Sequence, residues 1–215
     1  MIHKSINNIN LIKNEADLIR KDINIIAVSK TFPIQEVKPL VKNGHIHFGE
    51  NKVQEAIEKW EKLKNKNHNI KLHLIGKLQT NKVKFCLPLF DYIHSLDNLK
   101  LAEKISLQQI KTNFKPQIFI QVNIANEVQK NGIDVSKLKD FLEECQKKLN
   151  LNIIGLMCIP PNNENTEKYF KEMNELNKKF GLKELSMGMS GDYIEAINHG
   201  STFVRVGSKI FGERN

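Results

Sequence analysis

Two hydrophobic rhythms alternate along this chain. Ile6, Ile9, Ile12, Ala16 and Ile19 recur at the helical period, and the mainly apolar run 23–29 after them reads as a short buried strand. Pro33 opens a second helix with Ile34, Val37, Leu40 and Val41 along one side, and Asn43-Gly44 closes it. A short strand, 45–48, stops at Gly49-Glu50-Asn51, and Val53, Ala56, Ile57, Trp60 and Leu63 then form a helical stripe. After the polar loop 64–69 comes a third strand, 70–75, followed by Gly76-Lys77-Leu78-Gln79-Thr80-Asn81-Lys82. A fourth strand is expected at 91–95, before a helix carrying Leu101, Ala102 and Ile105.

Pro116 resets the chain into the clearest strand, 117–124, which the turn Asn131-Gly132 follows. The next helix bears Val135, Leu138, Phe141, Leu142, Cys145 and Leu149, with Asp134 as its N-cap. Strand 151–157 is broken by Pro160-Pro161. Tyr169, Met173, Leu176 and Phe180 mark another helix, stopped by Gly181. A strand at 184–188, a short helix at 193–197, a strand at 202–207 and a brief tail complete the series.

Apolar strands joined by helical crossovers indicate a parallel sheet covered by helices. Eight predicted strands favour a closed (β/α)8 TIM barrel over an open doubly wound sheet, and no Gly-x-Gly-x-x-Gly follows any of them. No linker or shift in composition divides the chain, so residues 1–215 are read as one barrel domain.

Composition changes this picture little. The chain is 40% hydrophobic and 27% charged, and a run of about 18 uncharged apolar residues, the length of a membrane span, is absent. The first ten residues lack the apolar stretch and cleavage site of a secretory signal. Cys86, Cys145 and Cys158 are odd in number and set in apolar surroundings, which predicts reduced core thiols and a cytoplasmic protein. The net charge of +9 comes almost wholly from scattered lysines beside glutamates and asparagines, with no aromatic-interleaved basic stretch. That sets a basic RNA-binding protein below a lysine-rich solvated surface that weakly steers anionic small molecules. Arginine occurs at 20, 205 and 214 alone, so Arg205 stands out inside the otherwise apolar strand 202–207.

A barrel places its chemistry at the carboxyl ends of its strands. Lys30, Asn51, Lys77 and Ser95 follow or close the first four strands, and Asn123 lies near the end of the fifth. Lys30 is either a snorkelling surface residue or an amine held where desolvation lowers its pKa. Met189-Ser190-Gly191 and Gly207-Ser208 follow the seventh and eighth strands, where small residues with free N–H groups make a phosphate cradle. Strand alternation turns Phe203, Arg205 and Gly207 to one side, so Arg205 faces the barrel and needs an acceptor. A lysine for an imine, a phosphate seat and a cation for a ring nitrogen together describe pyridoxal 5'-phosphate.

Rival chemistry is weaker. His45, His47 and His73 lack acidic or cysteine partners at ligand spacing and read better as polar barrel lining or structural hydrogen-bonding groups than as metal ligands. Cys158 lacks an activating constellation, Glu50 is as well explained by a lysine partner as by a general-base role, and Asp192 is placed to cap the short helix that follows it.

Several stretches, taken in order, carry a resemblance. They are Ala27-Val28-Ser29-Lys30-Thr31, Phe48-Gly49-Glu50-Asn51, the run 73–82, Gly155-Leu156-Met157, the run 185–190 and the run 204–212. In these the chain resembles the pyridoxal phosphate homeostasis protein family, related to the amino-terminal barrel of alanine racemase. The resemblance implies that Lys30 forms an internal aldimine with the cofactor. It also implies that Ser190, Gly207 and Ser208 bind the phosphate, Arg205 faces the pyridine nitrogen and Asn51 lies beside the cofactor. Lys130-Asn131-Gly132 matches a lysine-x-glycine feature near the mouth of the site. Ser208 stands where a threonine is common and keeps the hydroxyl, whereas Gly191 stands where a side chain is common and is expected to loosen the phosphate loop.

The implied function is a monomeric cytoplasmic carrier that keeps a reactive aldehyde low in free form and supplies apo-enzymes. An arginine donating to the ring nitrogen keeps it unprotonated, which weakens the cofactor as an electron sink. A small racemase or decarboxylase is the alternative. Alanine racemase works with that same arrangement, so Arg205 alone does not exclude an enzyme, but the racemase adds a β-domain and a tyrosine base on the opposite face. This chain reaches Asn215 just after the eighth strand, and Tyr92, Tyr169 and Tyr193 have no strong claim to that role.

Overall fold

The computed structural model describes residues 2–127, 131–161 and 165–213. Its eight strands are β1 (Asn24–Val28), β2 (His47–Glu50), β3 (Lys71–Leu74), β4 (Tyr92–Leu96), β5 (Gln117–Gln121), β6 (Ile153–Met157), β7 (Glu184–Met189) and β8 (Phe203–Val206). They pair in chain order, all parallel, and β8 closes on β1 through Asn24↔Phe203 to Ala27↔Val206. The closed parallel barrel expected from the strand count is therefore the fold.

The helices are α1 (Lys4–Asp17), α2 (Ile34–Lys42), α3 (Val53–Lys66), α4 (Val83–Cys86), α5 (Leu99–Thr112), α6 (Leu138–Glu143), α7 (Thr166–Lys179), α8 (Tyr193–Asn198) and α9 (Ser208–Phe211). Among the described residues, none is long and apolar enough to cross a membrane. Strand alternation sorts the core into two clusters. Ile26, Val28, Tyr92, Phe119, Met157 and Phe203 fill the barrel. Ala27, Phe48, Leu72, Ile93, Ile120, Leu156 and Val204 face outward, and Leu40, Trp60, Ile105 and Phe170 of the helices join their cluster. With both faces covered, the strands are buried almost throughout, as their apolar composition requires.

Several details differ from the sequence reading. β2 includes Gly49 and Glu50, because a Cβ at Gly49 would sit 2.8 Å from Ile26 Cγ2 and the absence of one lets the strand continue against β1. α4 and α9 are one-turn helices, too short to show a hydrophobic period. The helix after Asp134 is composite: a 3₁₀ turn at Val135–Lys137, α6, and a π turn at Glu144–Lys148. Asp134 caps it as expected, accepting the Ser136 N–H. Ser95 does not close its strand toward the barrel: its neighbour His94 is the interior residue, β4 runs on to Leu96, and the buried Ser95 hydroxyl has no partner among the described residues. Lys130 lies outside the described residues. The three cysteines are buried free thiols, as expected.

One close approach fixes the β6–β7 seam. Gly155 pairs with Glu184, and a Cβ at Gly155 would lie 1.8 Å from the Glu184 carbonyl oxygen, a rigid backbone atom. Gly155→Ala is expected to force these strands apart and cost about 3 kcal/mol or more in urea unfolding. An unchanged unfolding midpoint would show that the seam relaxes freely.

Candidate functional site

Ile26 and Val28 point into the barrel, and Lys30 is the next residue in that alternation, one step past Ser29 at the carboxyl end of β1. The chain turns sharply there: the Phe32 N–H donates to Ser29 O at 3.1 Å, and Thr31 adopts φ 70°. A β-branched residue in the left-handed region is strained by about 1–3 kcal/mol. The Thr31 N–H offsets this by donating to Glu55 Oε1 at 2.7 Å. Burial pushes the Glu55 carboxyl up, but the Thr31 N–H and Lys59 outweigh it and hold the group below its ordinary pKa.

Behind Lys30 lies a buried polar knot. Glu50 Oε1 accepts from Ser29 Oγ at 2.7 Å, Lys59 Nζ at 2.9 Å and Trp60 Nε1 at 2.9 Å. Lys59 Nζ also donates to Ser29 O at 2.8 Å and to Glu55 at 3.2 Å. Glu50 is thus a lysine's partner that ties the end of β2 to the turn bearing Lys30. The sequence left that role open beside a general base. Lys59, in the middle of a helical stripe pattern, gave no sign of being buried.

Asn51 follows β2 and is pressed against the loop after β3. A Cβ at Gly76 would meet Asn51 O at 2.4 Å, so only glycine allows the two loops this contact. Lys77 is directed across to Asn131 Oδ1 at 2.9 Å, joining the loops after β3 and β5. Asn123 shapes the latter loop, its Nδ2 donating to Glu127 O at 2.9 Å.

On the opposite side, Ser190 Oγ accepts the Gly207 N–H at 3.2 Å, bringing the loops after β7 and β8 together. Gly207 packs against Val28, with its Cβ direction 3.5 Å from Val28 O, which seats this pair beside the end of β1. Ser208 is exposed at the first turn of α9, where backbone N–H groups have no partner one turn earlier. Gly191 is exposed, with open space where a side chain would stand. Asp192 occupies the N-cap position of α8, but its carboxylate accepts the Met189 N–H at 2.6 Å instead of a helix amide.

Arg205 points into the barrel and is 5% exposed. It donates through NH1 to Ser186 Oγ at 2.7 Å and through NH2 to the Cys158 carbonyl oxygen at 2.9 Å. Among the described residues no carboxylate lies within ion-pair distance of it. Burial lowers its pKa from the ordinary arginine value. The Cys158 thiol beside it is pushed up to about 12 by burial, which disfavours the nucleophilic thiolate. Sequence reasoning missed Ser186 and His94, whose Oγ and Nδ1 share a 2.9 Å hydrogen bond. Their inward parity on β7 and β4 was the available signal. Among the described residues no three His, Cys, Asp or Glu side chains could hold a metal; His47 and His73 instead bond to each other at 2.9 Å.

The family described as "Alanine racemase, N-terminal domain" matches residues 4–215. The pyridoxal phosphate homeostasis protein of Aquifex aeolicus is 39% identical over 88% of this chain and 86% of its own length. The solved structure of PipY from Synechococcus elongatus, with PLP bound, superposes with a TM-score of 0.86 at 31% identity, covering 99% of this chain and 100% of PipY. Alanine racemase of Clostridium difficile shares the fold, with a TM-score of 0.75 at 15% identity over 99% of this chain and 56% of the racemase. The strand-end lysine, the Ser190–Gly207 contact and the inward Arg205 thus lie on a barrel whose sequence has close relatives among these proteins. The chain belongs to the alanine racemase N-terminal domain family, in its pyridoxal phosphate homeostasis protein branch.

Proposed function

We propose that this chain, acting as one domain and as a monomer, binds pyridoxal 5'-phosphate at the carboxyl end of its barrel. Lys30 supplies the amine that captures the aldehyde. Ser190, Gly207 and Ser208 receive the phosphate, Arg205 addresses the ring nitrogen, and Asn51 lines the site. The observation that carries this reading is Arg205. A buried guanidinium has five N–H donors and no acceptor, and here two donors are met by Ser186 and Cys158 while, among the described residues, no carboxylate lies within ion-pair distance. An anionic ligand with a ring-nitrogen acceptor fits that donor set. The Ser190–Gly207 contact, with the Ser190 O–H and the first amides of α9 as donors, suits a phosphate.

When bound, the cofactor supplies a reactive aldehyde and an electron-accepting ring. Arg205 donates and does not give up its proton, so the ring nitrogen stays unprotonated and the ring a weak electron sink. Glu50 and Lys59 hold the Lys30 turn in place. Each tyrosine is engaged: Tyr92 stacks on His73 inside the barrel, Tyr169 is buried on α7, and Tyr193 donates to Glu15 of α1. These features support a cytoplasmic holder of the cofactor, contributing to its homeostasis and supplying apo-enzymes, over a racemase or decarboxylase.

Borohydride reduction of protein incubated with pyridoxal 5'-phosphate, followed by digestion and mass analysis, tests this. The expected result is a reduced adduct on Lys30, absent from Lys30→Ala. An unchanged mass, or an adduct confined to other lysines, overturns it.

A further inference from the structure

Below Arg205, an unbroken line of hydrogen bonds runs down the middle of the barrel. Ser186 Oγ meets His94 Nδ1 at 2.9 Å, His94 Nε2 meets His73 Nδ1 at 2.9 Å, and His73 Nε2 meets His47 Nδ1 at 2.9 Å. Ser186, His73 and His94 are fully buried. The rings are clamped by aromatic neighbours: His73 stacks on Tyr92 at 4.1 Å, His94 on Phe119 at 4.3 Å, and Phe203 packs against both histidines. His47 is half-buried and lines a cavity of ≈ 270 Å³ at the amino-terminal end of the strands, together with Lys13, Asn24 and His45.

Arg205 sets the direction of this line because it can only donate. Ser186 Oγ accepts from Arg205, so its single O–H is directed at His94 Nδ1, which must be bare. His94 then carries its proton on Nε2 and gives it to bare His73 Nδ1, and His73 Nε2–H donates to bare His47 Nδ1. The reverse orientation delivers two N–H groups to Ser186 Oγ and leaves its own O–H without an acceptor among the described residues in a buried site, at a cost of about 1–3 kcal/mol. Three neutral rings of one tautomer follow, each with its bare nitrogen, the negative end of its dipole, turned toward Arg205.

We infer that His94 and Ser186, backed by His73 and His47, are positioning residues that act as a neutral, dipolar counterion for Arg205. This inference rests on the cofactor site proposed above. A carboxylate at Ser186 would hold the guanidinium but cancel its charge. Aligned imidazole dipoles hold and orient it while leaving the full positive charge for an anionic ligand. The charged groups acting on the line are Lys71 and Asp91 on His47, Lys64 on His73, and Arg205 on His94, with Lys13 acting on the neighbouring His45. Asp192 acts on Arg205. Burial keeps His47, His73 and His94 below their ordinary pKa, in agreement with neutral rings.

Two measurements test this. Nitrogen NMR of the histidine rings in the unliganded protein, between about pH 6 and 8 where free histidine titrates, should show the proton on Nε2 of His73 and His94. Ser186→Ala should abolish that preference at His94. In protein loaded with pyridoxal 5'-phosphate, His94→Phe, which preserves the stack on Phe119 but cannot accept from Ser186, should release the cofactor on dialysis about tenfold faster or more. His94→Gln, whose amide can accept from Ser186 and donate to His73, should retain it like the wild type. Ser186→Ala replaces His94→Phe in the release assay if the latter does not fold. An Nδ1–H tautomer at His94, or equal release from the Phe and Gln variants, overturns the inference. Lys30 trapping separates the two readings: if the wild type takes no adduct there, the cofactor site fails, and the tautomers alone decide the line.

Discussion

Lys59→Met lowers the unfolding free energy by about 3–5 kcal/mol, read as a fall in the urea midpoint at unchanged slope. The size follows from what it leaves behind. Lys59 and Glu50 are 7% and 0% exposed in their side chains, and Glu50 would lose the cation 2.9 Å from it at a site water does not reach. Trp60 and Ser29 would still donate to Glu50, which caps the loss. Glu50→Gln added to Lys59→Met should recover much of the stability, because it removes the orphaned charge. A double variant no more stable than Lys59→Met alone would show that lost packing, not lost charge, is responsible. The single variant also removes the Lys59 donor from Ser29 O, which keeps the Phe32 N–H, and weakens the hold on Glu55, and both secure the turn that carries Lys30.

Acid is the second strong perturbation. Burial lowers the pKa of His45 and His47 to about 4, and lowers those of His73 and His94 well below the ordinary value of 6.5. These rings are neutral when folded and protonated when unfolded, so between about pH 6.5 and 4 the unfolded chain binds more protons. Stability therefore rises with pH across that window and is lost on acidification. Each extra proton contributes about 1.4 kcal/mol per pH unit, and four histidines together reach about 5 kcal/mol per unit near pH 5. A protein of ordinary stability, about 5–15 kcal/mol, is expected to unfold on approach to pH 4. Urea titrations at stepped pH measure the slope, and His47→Gln should lower it by about one proton's worth. A flat profile from pH 7 to 4.5 would mean the interior rings are charged in the folded state.

The strands were legible because a parallel barrel buries both faces, so each strand stands out as an apolar run between polar loops. The strand-end positions of Lys30, Ser190 and Gly207 were legible for a related reason: strand ends are fixed points in this fold, marked where each apolar run stops. Arg205 was visible as a charge in an apolar strand. The one-turn helices α4 and α9 were not, since four residues cannot display a period. Lys59 looked like an ordinary surface lysine of α3, and only the tertiary approach of Glu50 and Ser29 draws it inward. The histidine line was half visible. Barrel lining or a structural hydrogen bond was the favoured reading of His47 and His73, yet His94 and Ser186 lie 92 residues apart, and no local pattern joins them.

The closure of β8 on β1 sets a timetable for the ribosome. Asn24 of the first strand bonds through Nδ2 to Thr202 O, a partner 178 residues later, at 3.3 Å. At roughly 5–20 residues per second, that partner is synthesised about 10–35 s after Asn24. Through that interval the emerging chain carries the Lys30 amine without Arg205, Gly207 or a closed wall around it. On the role proposed for Lys30, a nascent chain therefore meets the aldehyde as any exposed lysine does, and selective retention would begin only when the last strand completes the ring.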